Sequence, residues 1–166
     1  MAENEFVTVN PNGADNGPQI GLIAQYVKDL SFENPNAPSV YQWPAQPRID
    51  VSFNIGVAPA ADDVHEVQMN IEVRAVGEGE QVAFALELLY AGLFGIRNVA
   101  PEQMQGFLYA EAPRLLFPFA RRIVAETVRD GNFPPLLLDP IDFAAMYMAQ
   151  AQQAQSLAGA EPAGEA

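Results

Sequence analysis

The sequence predicts an α+β fold, a four-stranded antiparallel sheet followed by two main helices. Three observations predict it. Apolar and polar residues alternate with period two through Ile49 to Val57, Val67 to Val73 and Val82 to Tyr90. Short turns bearing glycine or proline join these segments, and strands joined so closely run antiparallel. From Pro101 onward the spacing turns helical, and a second helix follows Asp139.

The first strand is placed at Ile23 to Phe32, with Leu30 and Phe32 on one face and Asp29, Ser31 and Glu33 on the other. Pro35 and Pro38 stop it. Four prolines between Asn34 and Pro47 then make a long stiff connection rather than a hairpin. That connection carries Val40, Tyr41 and the only tryptophan, Trp43. Large aromatics on an irregular segment either plug a core edge or wall a binding surface, because Tyr and Trp join apolar area to a polar handle.

In the second strand Ile49, Val51, Phe53, Ile55 and Val57 form a buried face opposite the wet face of Arg48, Asp50, Ser52 and Asn54. Pro59 to Asp63 make the turn into the third, where Val67, Met69, Ile71 and Val73 alternate with Glu66, Gln68, Asn70, Glu72 and Arg74. Gly77-Glu78-Gly79-Glu80 closes the next hairpin, its glycines supplying the positive φ of a tight turn. This stretch is too short and wrongly placed for a nucleotide loop. The fourth strand puts Val82, Phe84, Leu86, Leu88 and Tyr90 on one face and Ala83, Ala85, Glu87, Leu89 and Ala91 on the other, with Gly92 and Gly95 marking a bulge or the exit.

An antiparallel sheet can keep one face in solvent. The outward positions collect Asp29, Glu33, Asp50, Glu66, Glu72 and Glu87 against Arg48 and Arg74. The face is acidic, and reads either as a solvated face or as a dock for a basic segment steered by charge.

Helical character runs from Pro101 to Asp130, with Gly131 as C-cap. Pro113 and Pro118 predict a break over Glu111 to Pro118, followed by a firm helix containing Phe119, Ile123, Val124 and Val128. These apolar faces are available to cover the sheet or to pack on another subunit. An apolar loop, Phe133 to Leu138, comes next. Asp139 then serves as N-cap, Pro140 as first-turn residue and Asp142 as a charge matched to the helix dipole. Phe143, Met146, Tyr147 and Gln150 share one face of this last helix, while Ile141, Ala144, Ala145 and Met148 make the other side apolar too. A helix without a polar face is buried or lies in a groove that something else fills.

At 166 residues the chain suits one domain, residues 21–150, between a disordered arm, 1–20, and a disordered tail, 151–166. A net charge of −13 disfavours nucleic acid and anionic lipid as partners. Charged residues make up only 17% of the chain, so subunit contacts or exposed apolar binding surface are expected. The absence of cysteine excludes thiolate catalysis, zinc thiolate sites and disulfides. With neither signal-peptide pattern nor a membrane-length apolar run, a soluble cytoplasmic protein is expected. The single histidine, His65, has Asp62 and Asp63 nearby but no serine arrangement around it, and no calcium-loop spacing occurs. The chain is therefore not read as an enzyme, and no cofactor or metal is assigned.

YVKDLSFENPNAP (Tyr26 to Pro38), the tryptophan, ADDVHEV (Ala61 to Val67), LFPFARRIV (Leu116 to Val124) and GNFPPLLLDPIDFAAMYM (Gly131 to Met148) occur in order and with matching spacing. From about Gln25 to Gln150 the chain closely resembles the SecB family of bacterial protein-export chaperones. The resemblance implies an α+β protomer with two main helices packed on one face of the sheet. It also implies a homotetramer, a dimer of dimers with sheets outward and helices inside. It implies a cytoplasmic holdase that binds unfolded precursor polypeptides, keeps them translocation-competent and passes them to the SecA ATPase, without nucleotide and without inserting into the membrane.

The family's client groove lies between the crossover after the first strand and the last helix. This makes Tyr41, Trp43, Phe143, Met146 and Tyr147 client contacts, with Phe133, Leu136, Leu137 and Leu138 as weaker ones. Family docking positions for the basic, zinc-bearing tail of SecA match Asp29, Glu33, Ala85 and Glu87; the zinc belongs to the partner. Ala85 departs from the bulkier aliphatic often found there. Phe84, Leu86 and Leu88 match positions that influence assembly. Stacked aromatics and flexible methionines suit a holdase, since they contact apolar segments without reading side-chain identity. Two other readings stand beside export: a SecB-like chaperone dedicated to a toxin–antitoxin pair, and a small-ligand-binding protein.

Overall fold

The computed structural model describes residues 17–159. Most of the arm assigned to residues 1–20 and the end of the tail assigned to 151–166 thus lie outside the described residues. Four strands, β1 (Gln19–Glu33), β2 (Arg48–Ala61), β3 (Val64–Val76) and β4 (Val82–Arg97), form one antiparallel sheet in the order β1-β4-β3-β2. The α+β class and the four antiparallel strands match the expectation, and β1 and β2 are the two edges.

All four strands outrun their predicted spans. β1 begins at Gln19 rather than Ile23, because slips in its pairing with β4, between Leu22 and Ala24 and between Val27 and Asp29, interrupt the alternation that marks a strand in sequence. β4 passes straight through Gly92 and Gly95 instead of ending there. A Cβ on Gly92 would sit 2.8 Å from Leu116 Cδ2, so the missing side chain admits the helix above it.

Helical structure starts with α1 (Pro101–Gly106), widens into a π turn (Phe107–Glu111) and continues as α2 (Ala112–Asp130). The expected break over Glu111 to Pro118 is absent. Pro113 has no N–H for the usual ladder, and Ala112 N–H reaches back to Phe107 O, so a widened turn takes the place of an interruption. Pro118 sits inside α2. Ala112, Leu116, Ala120, Val124 and Val128, each four residues from the last, are all buried. That row packs on the inner sheet face, where Val67, Met69, Ile71, Val73, Leu88 and Phe94 form the rest of the core. Truncating a large side chain such as Leu116 to Ala in such a setting costs about 2–5 kcal/mol.

After α2 the left-handed residue is Asn132, at φ 63°, while Gly131 has an ordinary φ of −76°. Gly131 therefore ends the helix without the left-handed geometry of a glycine C-cap. The last helix, α3 (Phe143–Ala158), begins three residues later than Asp139 and Pro140 imply. Asp142 is its N-cap, its Oδ1 accepting from Ala145 N–H at 3.0 Å. α3 runs beyond Gln150, into residues assigned to a disordered tail. Of its side chains only Phe143 is buried, so most of the apolar circumference read from the sequence is open.

Candidate functional site

Position in the sheet decides what is exposed. β2 is an edge, and its inward residues lie at the margin of what α2 covers. Ile49 is 42% and Val51 38% exposed although both occupy the inner parity, while Phe53, Ile55 and Val57 are half-buried. An apolar strip thus runs along β2 from Ile49 to Ile55, about 20 Å at the usual rise per residue.

Trp43 stands near one end of that strip and an aromatic cluster at the other, while a second aromatic row crosses the sheet over β1 and β4. Beside the end of β1, a short 3₁₀ turn (Ser39–Gln42) places Val40 in the core and leaves Tyr41 exposed. The Tyr41 hydroxyl donates to Gly131 O at 2.9 Å and accepts from Asn34 Nδ2 at 2.8 Å, tying the crossover to the end of α2. Its ring centroid lies 5.6 Å from that of Phe133, which lies 4.8 Å from Phe84, and Phe84 lies 5.9 Å from Phe32. Trp43 is half-buried against Gly77, at the turn after β3. At the Ile55 end, Phe53, Ile55, Tyr109, Phe143, Met146 and Tyr147 line a concavity of about 60 Å³. Tyr109 and Tyr147 stack at 5.8 Å with planes 9° apart, while Phe117 bridges Phe53 at 6.1 Å and Phe143 at 5.7 Å.

The sequence-predicted groove residues therefore separate: Trp43 lies near one end of the β2 strip and Phe143, Met146 and Tyr147 at the other, while Tyr41 and Phe133 sit over β1 and β4. Leu136 is half-buried, Leu137 is 66% exposed and Leu138 is buried. Leu138 is buried in the core, and Phe143, which lines the concavity, is held edge-on against Phe117. Sequence reasoning missed Ile49, Val51 and Tyr109. Strand alternation marks the first two as inward-facing but cannot say that their strand is an edge. Phe84, Leu86 and Leu88 are buried under α2 and Phe133 rather than presented to a neighbour, so any influence on assembly passes through the sheet's inner packing.

The outer face is built in cross-strand rows. Glu33, Ala85, Arg74 and Asp50 make one row, Ser31, Glu87, Glu72 and Ser52 the next, and Asp29, Leu89, Asn70 and Asn54 the third. All four predicted docking residues share this face. Glu72 and Glu87 stand directly opposite each other, a like-charge pairing that destabilises a bare sheet. Together with Glu33, Asp50, Arg74 and Ser52 they line a shallow hollow of about 370 Å³. Among the described residues Asp29, Glu33, Glu72 and Glu87 have no cation within ion-pair distance, whereas Asp50 meets Arg48 at 3.4 Å.

Further along the same face, Glu66 of β3 accepts from Lys28 Nζ at 2.8 Å, and also from the Tyr26 hydroxyl and Gln68 Nε2. On the intervening β4, Ala91 lies between Tyr26 and Gln68, and Leu93 is the cross-strand partner of Glu66. The hydrogen bond from Lys28, then those from Tyr26 and Gln68, hold the Glu66 carboxyl down to a pKa of about 2. Its hydrogen bond with Glu66 pushes Tyr26 up to about 12.

Comparisons with known proteins agree on one family. The family model described as preprotein translocase subunit SecB matches residues 13–154. A protein-export protein SecB of Rhizorhabdus wittichii is 63% identical over 155 residues, covering 93% of each chain. Another protein of that name, from Zymomonas mobilis subsp. mobilis, is 58% identical over 166 residues and 100% of each chain. Among solved structures, a SecB-like chaperone of Mycobacterium tuberculosis, in complex with a peptide from the HigA1 antitoxin, superposes with a TM-score of 0.61 at 16% identity. It covers 74% of this chain and 90% of that one.

Proposed function

The chain belongs to the SecB family of protein-export chaperones, and from that premise we propose that it captures unfolded precursor polypeptides along β2, between the crossover and α3. The observation that carries the groove is the exposure of Ile49 and Val51 on an edge strand, with Trp43 near one end and the Tyr109–Tyr147 stack at the other. An extended client segment laid there has apolar contacts from the strip and rings at its ends, and neither demands a particular side chain. Relatives at 63% and 58% identity are named export proteins, whereas the neighbour solved with an antitoxin peptide is 16% identical. This favours export over service to a toxin–antitoxin pair.

Delivery to SecA uses the outer face in this reading. Asp29, Glu33 and Glu87 take the basic, zinc-bearing tail, Glu72 joins them, and Ala85 forms the floor. A cationic segment there relieves the Glu72–Glu87 opposition, a gain available only on binding. The working form is a cytoplasmic dimer of dimers. Its support is the β1 edge, where Leu22, Ile23 and Val27 are exposed on a strand that pairs with β4 alone, together with Leu115 and Phe119 exposed on α2.

Size-exclusion chromatography with light scattering, alone and with a permanently unfolded, signal-bearing polypeptide, tests this reading. The expected result is a tetramer whose mass rises by one client. A monomer that ignores the client overturns it.

A further inference from the structure

The outer sheet face holds a cation beside the carboxylates that should attract a basic partner, and the structure shows how it is kept away from them. Lys28 is the only cation of β1. The slip between Val27 and Asp29 makes two consecutive residues project outward. Asp29 keeps the parity of Ser31 and Glu33, while Lys28 reaches across the sheet to Glu66 of β3. Lys28 is a flexible lysine next in sequence to Asp29, on the face that also carries Glu87. It pairs with Glu66 instead, at 2.8 Å, on a carboxylate fixed by Tyr26 and Gln68. The Glu66 side chain is 14% exposed against 43% for Lys28, so the anchor is the sheltered member of the pair.

We infer that Glu66 is a positioning residue for the docking face: by sequestering Lys28 it leaves Asp29 and Glu87 uncompensated and open to a basic segment. The inference rests on the docking reading above and adds a determinant to it. Glu66 touches nothing that docks. It acts by removing an internal competitor, a way of raising affinity without adding a contact.

The test is a double-mutant cycle, read as the Kd of the zinc-loaded SecA tail peptide by calorimetry at about 0.15 M salt, where charges more than about 8 Å apart are largely screened. Glu66→Gln frees Lys28 and should weaken binding about three- to fivefold, the scale of one exposed ion pair formed in competition. In a Lys28→Met background the same substitution should change Kd by less than about twofold, because nothing remains to be freed. Glu66→Asp keeps the charge but shortens the reach. It should also weaken binding, with recovery on adding Lys28→Met, and it provides the measurement if Glu66→Gln does not fold.

Equal factors for Glu66→Gln in the two backgrounds overturn the inference, since a general loss of negative charge does not depend on Lys28. Glu87→Lys separates the levels. If that variant binds the tail as well as wild type does, or if wild type does not bind at all, the docking reading itself falls. If Glu87→Lys abolishes binding and the cycle is additive, only the role of Glu66 falls.

Discussion

Trp43 lies flat against Gly77: a Cβ added to Gly77 would sit 2.6 Å from Cζ3 and 2.9 Å from Cε3 of the indole. The contact joins the crossover after β1 to the turn between β3 and β4. It also gives Gly77 a role the turn motif does not suggest. The left-handed residues there are Gly79 and Glu80, whereas Gly77 has a φ of −92°, open to any residue. Gly77 is a glycine for space, not for backbone freedom.

Gly77→Ala should therefore displace the ring without straining the turn, at about 1–3 kcal/mol, the usual cost of overpacking. Trp43 is the only tryptophan, so intrinsic fluorescence reports its surroundings alone. The expected result is a changed emission maximum with a lowered urea midpoint. An unchanged spectrum would mean that the indole does not rest on Gly77.

The two ends of the groove can be tested together. Trp43→Ala with Tyr147→Ala removes one ring from each end of the strip and leaves the buried Phe143 and Leu138 in place. Loss of both should weaken binding of an unfolded client by about tenfold, taking base-level truncation costs for aromatic anchors. Assembly should persist, as read by light scattering. Wild-type affinity in the double variant would remove these residues from the groove.

Much of this was legible in the sequence, and what was not has a physical cause. Across β2, β3 and β4 the outer face followed from strand parity, since turns as short as Asp62-Asp63 fix the register of neighbouring strands. Ala85 and Glu87 share a face with Glu72 and Arg74 for that reason, whereas Asp29 and Glu33 join them through the β1–β4 pairing, which no short turn fixes. The true start of β1 was hidden because its pairing slips twice. The π turn that replaces a helix break absorbs the missing N–H of Pro113 by widening one turn, an outcome that treating proline simply as a helix breaker does not contain. The exposure of Ile49 and Val51 is a property of strand order and helix coverage. Their spacing is that of the buried Ile71 and Val73 on β3.

Assembly through β1 makes its own demand. Ile23 is 59% exposed at the edge of the sheet, beside one of the two slips. Ile23→Lys should cost a monomer little, since little of the side chain is buried in it, but should bury a charge wherever a second β1 is laid alongside. The expected outcome is a fall in oligomer mass with an unchanged far-UV circular dichroism spectrum. A full tetramer in that variant would move the interface elsewhere.

The Glu66 network predicts how stability responds to pH. With the folded carboxyl at about 2 and its ordinary value at 4.5, the unfolded chain binds the extra proton between those two values. The contribution of Glu66 is therefore complete above about 4.5 and is lost as pH falls towards about 2. Tyr26 behaves in the opposite sense. Its folded pKa of about 12 exceeds the ordinary 10, so its contribution is complete below 10 and is lost as pH rises towards about 12. Glu66→Gln removes the acid-side term and, with it, the carboxylate that holds the Tyr26 proton. Urea midpoints measured from pH 5 down to about 3 should fall less steeply in this variant than in wild type. Parallel slopes would mean that the three donors do not hold Glu66 as an anion.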